Sequence, residues 1–170
     1  MKIDRARPFS FYIDLPVRNE WRNIELLRTS VQNCFQAVFS DIDGCNALAM
    51  VTGELLENAM KYGAWSRNED PISFRLRVQG DSEQTRVEVQ NPIRDDDPQV
   101  NELKHTLAWI AGHESAEAAY RARLIEIANA PDDPGASKLG LVRVAYEGGC
   151  ELRATVEDSV LTLVAVLKND

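Results

Sequence analysis

The sequence has little from which to build a metal or redox centre. Its three cysteines, Cys34, Cys45 and Cys150, form no CxxC pair and are odd in number, and His105 and His113 are its only histidines. No zinc-ligand spacing can be assembled from that set. Free thiols in a reducing cytoplasm are therefore expected. Positive charge is also short: 19 Lys and Arg stand against 27 Asp and Glu, a formal net charge of −8. A nucleic-acid surface needs clustered basic residues, so no nucleic-acid partner is expected. No apolar run approaches the ~20 residues of a membrane helix. The opening MKIDRARPFSFYIDLP carries neither the apolar core nor the cleavage pattern of a signal peptide. A cytoplasmic location with no membrane contact is expected. Repeats and low-complexity tracts are absent too.

What remains is ordinary globular material. The 170 residues are 44% hydrophobic and 27% charged, which suits a single domain spanning 1–170. A chain of this size buries about two-thirds of its unfolded surface.

Periodicity divides the chain. Phe9 to Leu15 reads as a strand closed by Pro16. From Glu20 to Phe39, Trp21, Ile24, Leu27, Val31, Phe35 and Val38 recur at helical spacing. SDIDG ends that helix and offers Asp41 or Asp43 as N-cap of a second, Cys45 to Tyr62, with Gly63 placed for a left-handed C-cap. In ISFRLRV the period changes to two: Ile72, Phe74, Leu76 and Val78 alternate with Ser73, Arg75 and Arg77. After the turn Gln79-Gly80-Asp81-Ser82, Thr85 to Gln90 returns to complete a hairpin. Asn91 to Pro98 reads as an acidic loop in which Asp97 or Asp95 caps the next helix. A helical insert of about 98–129 follows, Val100 to Ile110 and then Ala116 to Ala128. The short apolar stretch LGLVRVAY leads to two last strands, Glu151 to Val156 and Val160 to Leu167, joined at Glu157-Asp158. The fold class expected is α+β: a two-layer sandwich with a mixed or antiparallel sheet covered by helices on one face.

The second helix, GELLENAMKYG, carries unusual polar chemistry. Glu54 and Asn58 are four residues apart and Lys61 is three further on, so all three share one face. Leu48, Val51, Leu55, Ala59 and Tyr62 form the core stripe. A carboxylate, a carboxamide and an ammonium in a row suit a metal-bound phosphate. The amide oxygen can ligate Mg²⁺, the carboxylate can deprotonate a hydroxyl, and the ammonium can neutralise phosphate charge. Spacing alone is equally served by a solvated helix face.

ELLENAMKYG resembles the N-box (roughly ExxxNAxKY/H) of the GHKL ATPase superfamily, which includes histidine kinases, gyrase-type ATPases and anti-sigma-factor serine kinases. FYIDLPVRNEWRNIELLRTSVQNCF and the hairpin after the N-box are similar to the corresponding parts of anti-sigma kinases. The resemblance implies Asn58 as Mg²⁺ ligand, Glu54 as catalytic base, Lys61 near the phosphates and Tyr62 at the nucleotide's edge. The superfamily's DxGxG is missing: VEVQNPIRDDD stands there, with Asn91 or Gln90 in place of the aspartate that accepts from adenine. In PGASKLGLVRVAY, Gly140 and Leu141 match the LGL of the second glycine box, so the resemblance implies that Leu139-Gly140-Leu141 starts the lid's helix, while Ala136, Ser137 and Lys138 replace the usual glycines. Ser137 and Lys138 are candidates for phosphate contact, and Ser137 equally for a helix cap. An asparagine-containing turn, a helical insert such as VNELKHTLAWI…AEAAYRARLIEIAN and a GASKLGLVRVA-like stretch together resemble the SiaB-type protein kinases.

That resemblance implies a regulatory GHKL-fold protein of a bacterial partner-switching system. Such a protein binds ATP and Mg²⁺ and phosphorylates Ser or Thr of an anti-sigma-antagonist-like (STAS-type) partner; a homodimer is a family expectation. The alternative is a degenerate module that keeps the fold, binds no nucleotide and recognises its partner by surface alone.

Overall fold

The structure, a computed structural model, describes residues 8–16, 21–39, 41–63, 73–81, 83–94, 97–129 and 139–168. Ile72 and the side chains of Trp21, Ile24, Tyr62 and Phe74 lie outside the described residues. The chain runs β1 (Phe9–Pro16), α1 (Trp21–Val38), α2 (Ile42–Tyr62), β2 (Ser73–Gly80) and β3 (Gln84–Pro92). It continues through α3 (Pro98–Ala111), α4 (Ala116–Asn129), α5 (Leu139–Tyr146), β4 (Cys150–Glu157) and β5 (Val160–Lys168). The strands form one 5-stranded sheet in the order β1-β2-β3-β5-β4, and every neighbouring pair is antiparallel. The fold is therefore the expected α+β sandwich, with no parallel pair among the described residues.

Alternation decides which sheet face meets the helices. Leu76 and Val78 of β2, Val87 and Val89 of β3, and Leu161 and Leu163 of β5 are buried, with Leu48, Val51, Leu55 and Ala59 of α2 in the same core. The opposite face is polar: Arg75 pairs with Asp14 at 3.3 Å and Arg86 with Glu88 at 2.7 Å. On α1 the stripe holds at Val31 and Phe35, but Val38 is 71% exposed. Phe39, just past the helix end, takes its place, with its ring centroid 5.0 Å from that of Phe9 on β1.

Of the two N-cap candidates for α2, Asp41 is the one used. Its extended backbone (φ −80, ψ 94) lets its side chain accept from the Gly44 N–H at 3.0 Å, so α2 starts at Ile42, earlier than the periodicity implied. Asp41→Ala should cost about 0.5–2 kcal/mol, read as a lower urea midpoint with an unchanged slope. At the other end the expected left-handed cap is absent. Gly63 is extended (φ −73, ψ 144), a conformation open to any residue.

The hairpin turns follow side-chain chemistry. Asp81 Oδ1 accepts from the Glu83 and Gln84 N–H groups at 2.8 and 3.0 Å, holding the β2–β3 turn. The β4–β5 turn lies one residue later than expected, at Asp158 (φ 49) and Ser159 (φ 57). Two successive left-handed residues give the twist that antiparallel strands prefer in a two-residue loop. The acidic loop begins later than the sequence suggested: β3 runs on through Asn91 and Pro92, paired with Leu161 and Val160, and Ile93 is buried. Asp97 caps α3 and Pro98 opens it. The stretch LGLVRVAY is a helix, α5, packed on α2, α4 and β4. No helix among the described residues is long and apolar enough to cross a membrane.

Candidate functional site

The site begins on α2, whose apolar stripe fixes which way its polar residues point. With Leu55 and Ala59 turned into the core, Glu54 and Asn58 lie half-buried at its margin, and Lys61 is exposed one turn on. The Asn58 amide nitrogen donates to the Glu54 carbonyl at 2.6 Å. That bond commits the donor end of the carboxamide to the helix and leaves the oxygen as its acceptor.

The other wall is α5. Gly140, in its first turn, lies against the Glu54 carboxylate, and a β-carbon added there would collide with Oε2. One turn later Arg143 extends its guanidinium to Glu54, Nη1 to Oε1 at 3.1 Å, and to Glu147 at 3.3 Å. The Glu54 side chain is 16% exposed. Burial pushes its carboxyl above the usual glutamate range, and the charges of Glu57 and Glu147 add to this while Arg143 opposes it. The arrangement is a carboxylate held at a helix–helix seam, raised in basicity and oriented by one arginine. Such a group suits acceptance of a proton from a hydroxyl.

The remaining candidates are dispersed. Leu141 is buried in the core, so its part is packing α5 in place. Asn91 is 1% exposed on β3, and its amide nitrogen donates to the Pro92 carbonyl at 3.2 Å. Ser137, Lys138 and the Tyr62 side chain lie outside the described residues. The structure thus brings Gly140 against Glu54 across 86 positions of sequence, with Asn58 and Lys61 on the following turns of α2. Sequence reading missed Arg143 and Glu147. The signal available was a single charge inside an apolar run, LGLVRVAY, with an acidic residue four positions on.

A Mg²⁺–phosphate group fits one end of this arrangement. The Asn58 oxygen is a hard donor of the kind Mg²⁺ takes, and Mg²⁺ commonly keeps waters and phosphate oxygens for its other positions. It therefore needs no dense protein cage, and the described residues contain none: no group of three or more His, Cys, Asp or Glu is placed to hold a metal. The side-chain-free Gly140 lets the Glu54 carboxylate pack directly against the first turn of α5. The adenine end fits less well, because β3 continues straight through Asn91-Pro92 with no glycine to turn it.

Nearby, Thr52 is fully buried on α2 and its hydroxyl has no hydrogen-bond partner among the described residues. Thr52→Val replaces an unsatisfied hydroxyl by a methyl of similar size. It should leave stability unchanged or raise it by about 1 kcal/mol, as measured by thermal unfolding.

No protein-family model matches the chain, and no curated protein matches it. Among solved structures it is similar to a chain in the crystal structure of the SiaB–SiaC complex from Pseudomonas aeruginosa. The TM-score is 0.70 at 20% sequence identity, over 96% of this chain and 92% of that one. The likeness is one of fold. It spans β1 to β5 and includes the α3–α4 insert, since 96% coverage leaves no room for a whole helix to be omitted.

Proposed function

We propose that this protein is a partner-switching signalling regulator that binds ATP and Mg²⁺ on its α2–α5 face and phosphorylates Ser or Thr of a STAS-type, anti-sigma-antagonist-like partner. The observation that carries this reading is the Glu54 carboxylate facing Gly140 of α5, with Asn58 one turn further along α2. A fold shared with a chain of a two-protein complex supports the partner-dependent part. In this reading the Asn58 oxygen holds Mg²⁺, which supplies neutralisation of phosphate charge. Glu54 orients a partner hydroxyl and takes its proton. Arg143 holds the Glu54 carboxylate in place, Lys61 adds positive charge beside the phosphates, and the opening turn of α5 offers backbone N–H groups to them. Ser137, Lys138, Tyr62 and Asn91 complete the candidate set.

A second reading has an observation of its own. Arg143 already engages Glu54, and Asn91 is folded into the core against Pro92. Both suit a degenerate module that binds its partner without nucleotide. Calorimetric titration with ATP and Mg²⁺ separates the two. Binding to the wild type that is lost in Asn58→Ala supports the first; a site filled to 100 times Kd should also add about 2.7 kcal/mol of stability. Absence of heat and of thermal shift with every adenine nucleotide establishes the module. Tight binding that survives Asn58→Ala removes the metal assignment.

A further inference from the structure

β4 is the terminal strand of the sheet. One flank pairs with β5 over Cys150–Glu157, and no strand among the described residues pairs with the other. Such a flank presents a row of backbone N–H and C=O groups able to template another strand. Beside it, on the helical side, lies a cleft of about 360 Å³ whose walls include Leu107 and Ile110 of α3 and Leu152 of β4.

Natural edges commonly repel one another by carrying charge of one sign. β4 instead alternates sign on its outer face: Glu151 and Arg153, with side chains 53% and 71% exposed. Arg153 meets Glu151 only loosely at 3.5 Å, while Glu151 also reaches Lys168 at 3.0 Å. In a two-fold antiparallel pair, residues that face the same side must lie opposite each other. An axis at Glu151 or Arg153 sets like charges together, and one at Ala154 sets Glu151 opposite Glu157. An axis at Leu152 sets Glu151 opposite Arg153 twice, and Leu152 opposite its own copy beside the apolar cleft. An axis at Thr155 also matches Arg153 with Glu157, but its inner-face pairs lie away from the cleft residues of β4.

We propose that β4 pairs antiparallel with β4 of a second copy of this chain about an axis at Leu152, making one continuous sheet from two. The occupant follows from that self-complementary charge order. It does not depend on nucleotide binding or phosphoryl transfer.

Sedimentation velocity over a dilution series tests it. The wild type is expected to sediment with twice the chain mass. In a Glu157→Gln background, which keeps the Ala154 register from gaining opposite-charge pairs, Glu151→Arg and Arg153→Glu each turn both attractive pairs repulsive and should weaken dimerisation at least about tenfold. The double swap, made in the same Glu157→Gln background, restores opposite charges only in the Leu152 register and should restore the dimer. Glu157→Arg should leave it unchanged. These positions are exposed, so circular dichroism should report the same folded chain in each variant. A monomeric wild type, single swaps that leave the dimer intact, or a double swap that stays monomeric overturns the proposal.

Discussion

Glu54→Gln is expected to lower phosphoryl transfer to a Ser/Thr partner by about 10²–10⁴-fold, the usual contribution of a positioned general base, with the chain still folded. Glutamine keeps the shape and can still accept from Arg143, but it cannot take a proton. Glu57→Gln, on an exposed residue of the same helix, is the control and should change transfer little. Stability should move the other way. Burial raises the folded-state value of Glu54 above its unfolded one, so folding is favoured most while the carboxyl is protonated. That contribution is present below the ordinary glutamate value and is lost as pH rises through the raised one. Glu54→Gln removes the titrating group and should flatten this decline, measured as urea midpoints across that range. A variant that retains full transfer would show that another group takes the proton. A pH dependence identical to wild type would show that burial of Glu54 carries no such linkage.

Legibility followed the range of the interactions. Glu54 and Asn58 were readable because they are four apart on one helix and their common face is a local property. Arg143 meets Glu54 across 89 positions, and nothing local marks such a pair beyond a charge in an apolar run. The same run left α5 open on its residues alone, its start at Leu139 being implied only by the resemblance. Eight mainly apolar residues fit a buried helix or a strand alike, and periodicity cannot separate them. Strands with clean alternation, such as the Leu76 to Val78 region, were readable, whereas the insertion of β5 between β3 and β4 was not, because pairing order is settled by packing far along the chain. Gly63 shows a different failure: glycine permits a left-handed cap but does not require one. Asn91 and Pro92 read as loop residues by propensity. Pairing with β5 nevertheless carries β3 through them, and Pro92 is tolerated at the strand's last position, where its missing N–H costs least.

Phe35→Ala is expected to be the most damaging single truncation, at about 3–5 kcal/mol. Phe35 is 4% exposed and is the hub of an aromatic cluster. Its ring meets Phe9 edge-on at 5.5 Å, Phe11 at 6.4 Å, and stacks with Phe39 at 5.6 Å. Deleting it leaves a cavity and also removes geometry-specific pairs worth roughly 0.5–1.5 kcal/mol each. The consequence is focused because β1 sits at the sheet edge and, among the described strands, pairs with β2 alone. Its hold on the helical layer therefore depends heavily on Phe9 and Phe11 reaching Phe35. At about 2–4 °C per kcal/mol for a chain of this size, the melting temperature should fall by roughly 6–20 °C. Phe35→Leu, which refills part of the volume, should recover much of that loss. Amide exchange should rise first in β1 and last at the α2–α5 seam that holds the Glu54–Arg143 pair. A drop of less than about 1 kcal/mol would mean that the surrounding rings close the gap and that β1 is anchored by its ladder with β2 rather than by Phe35.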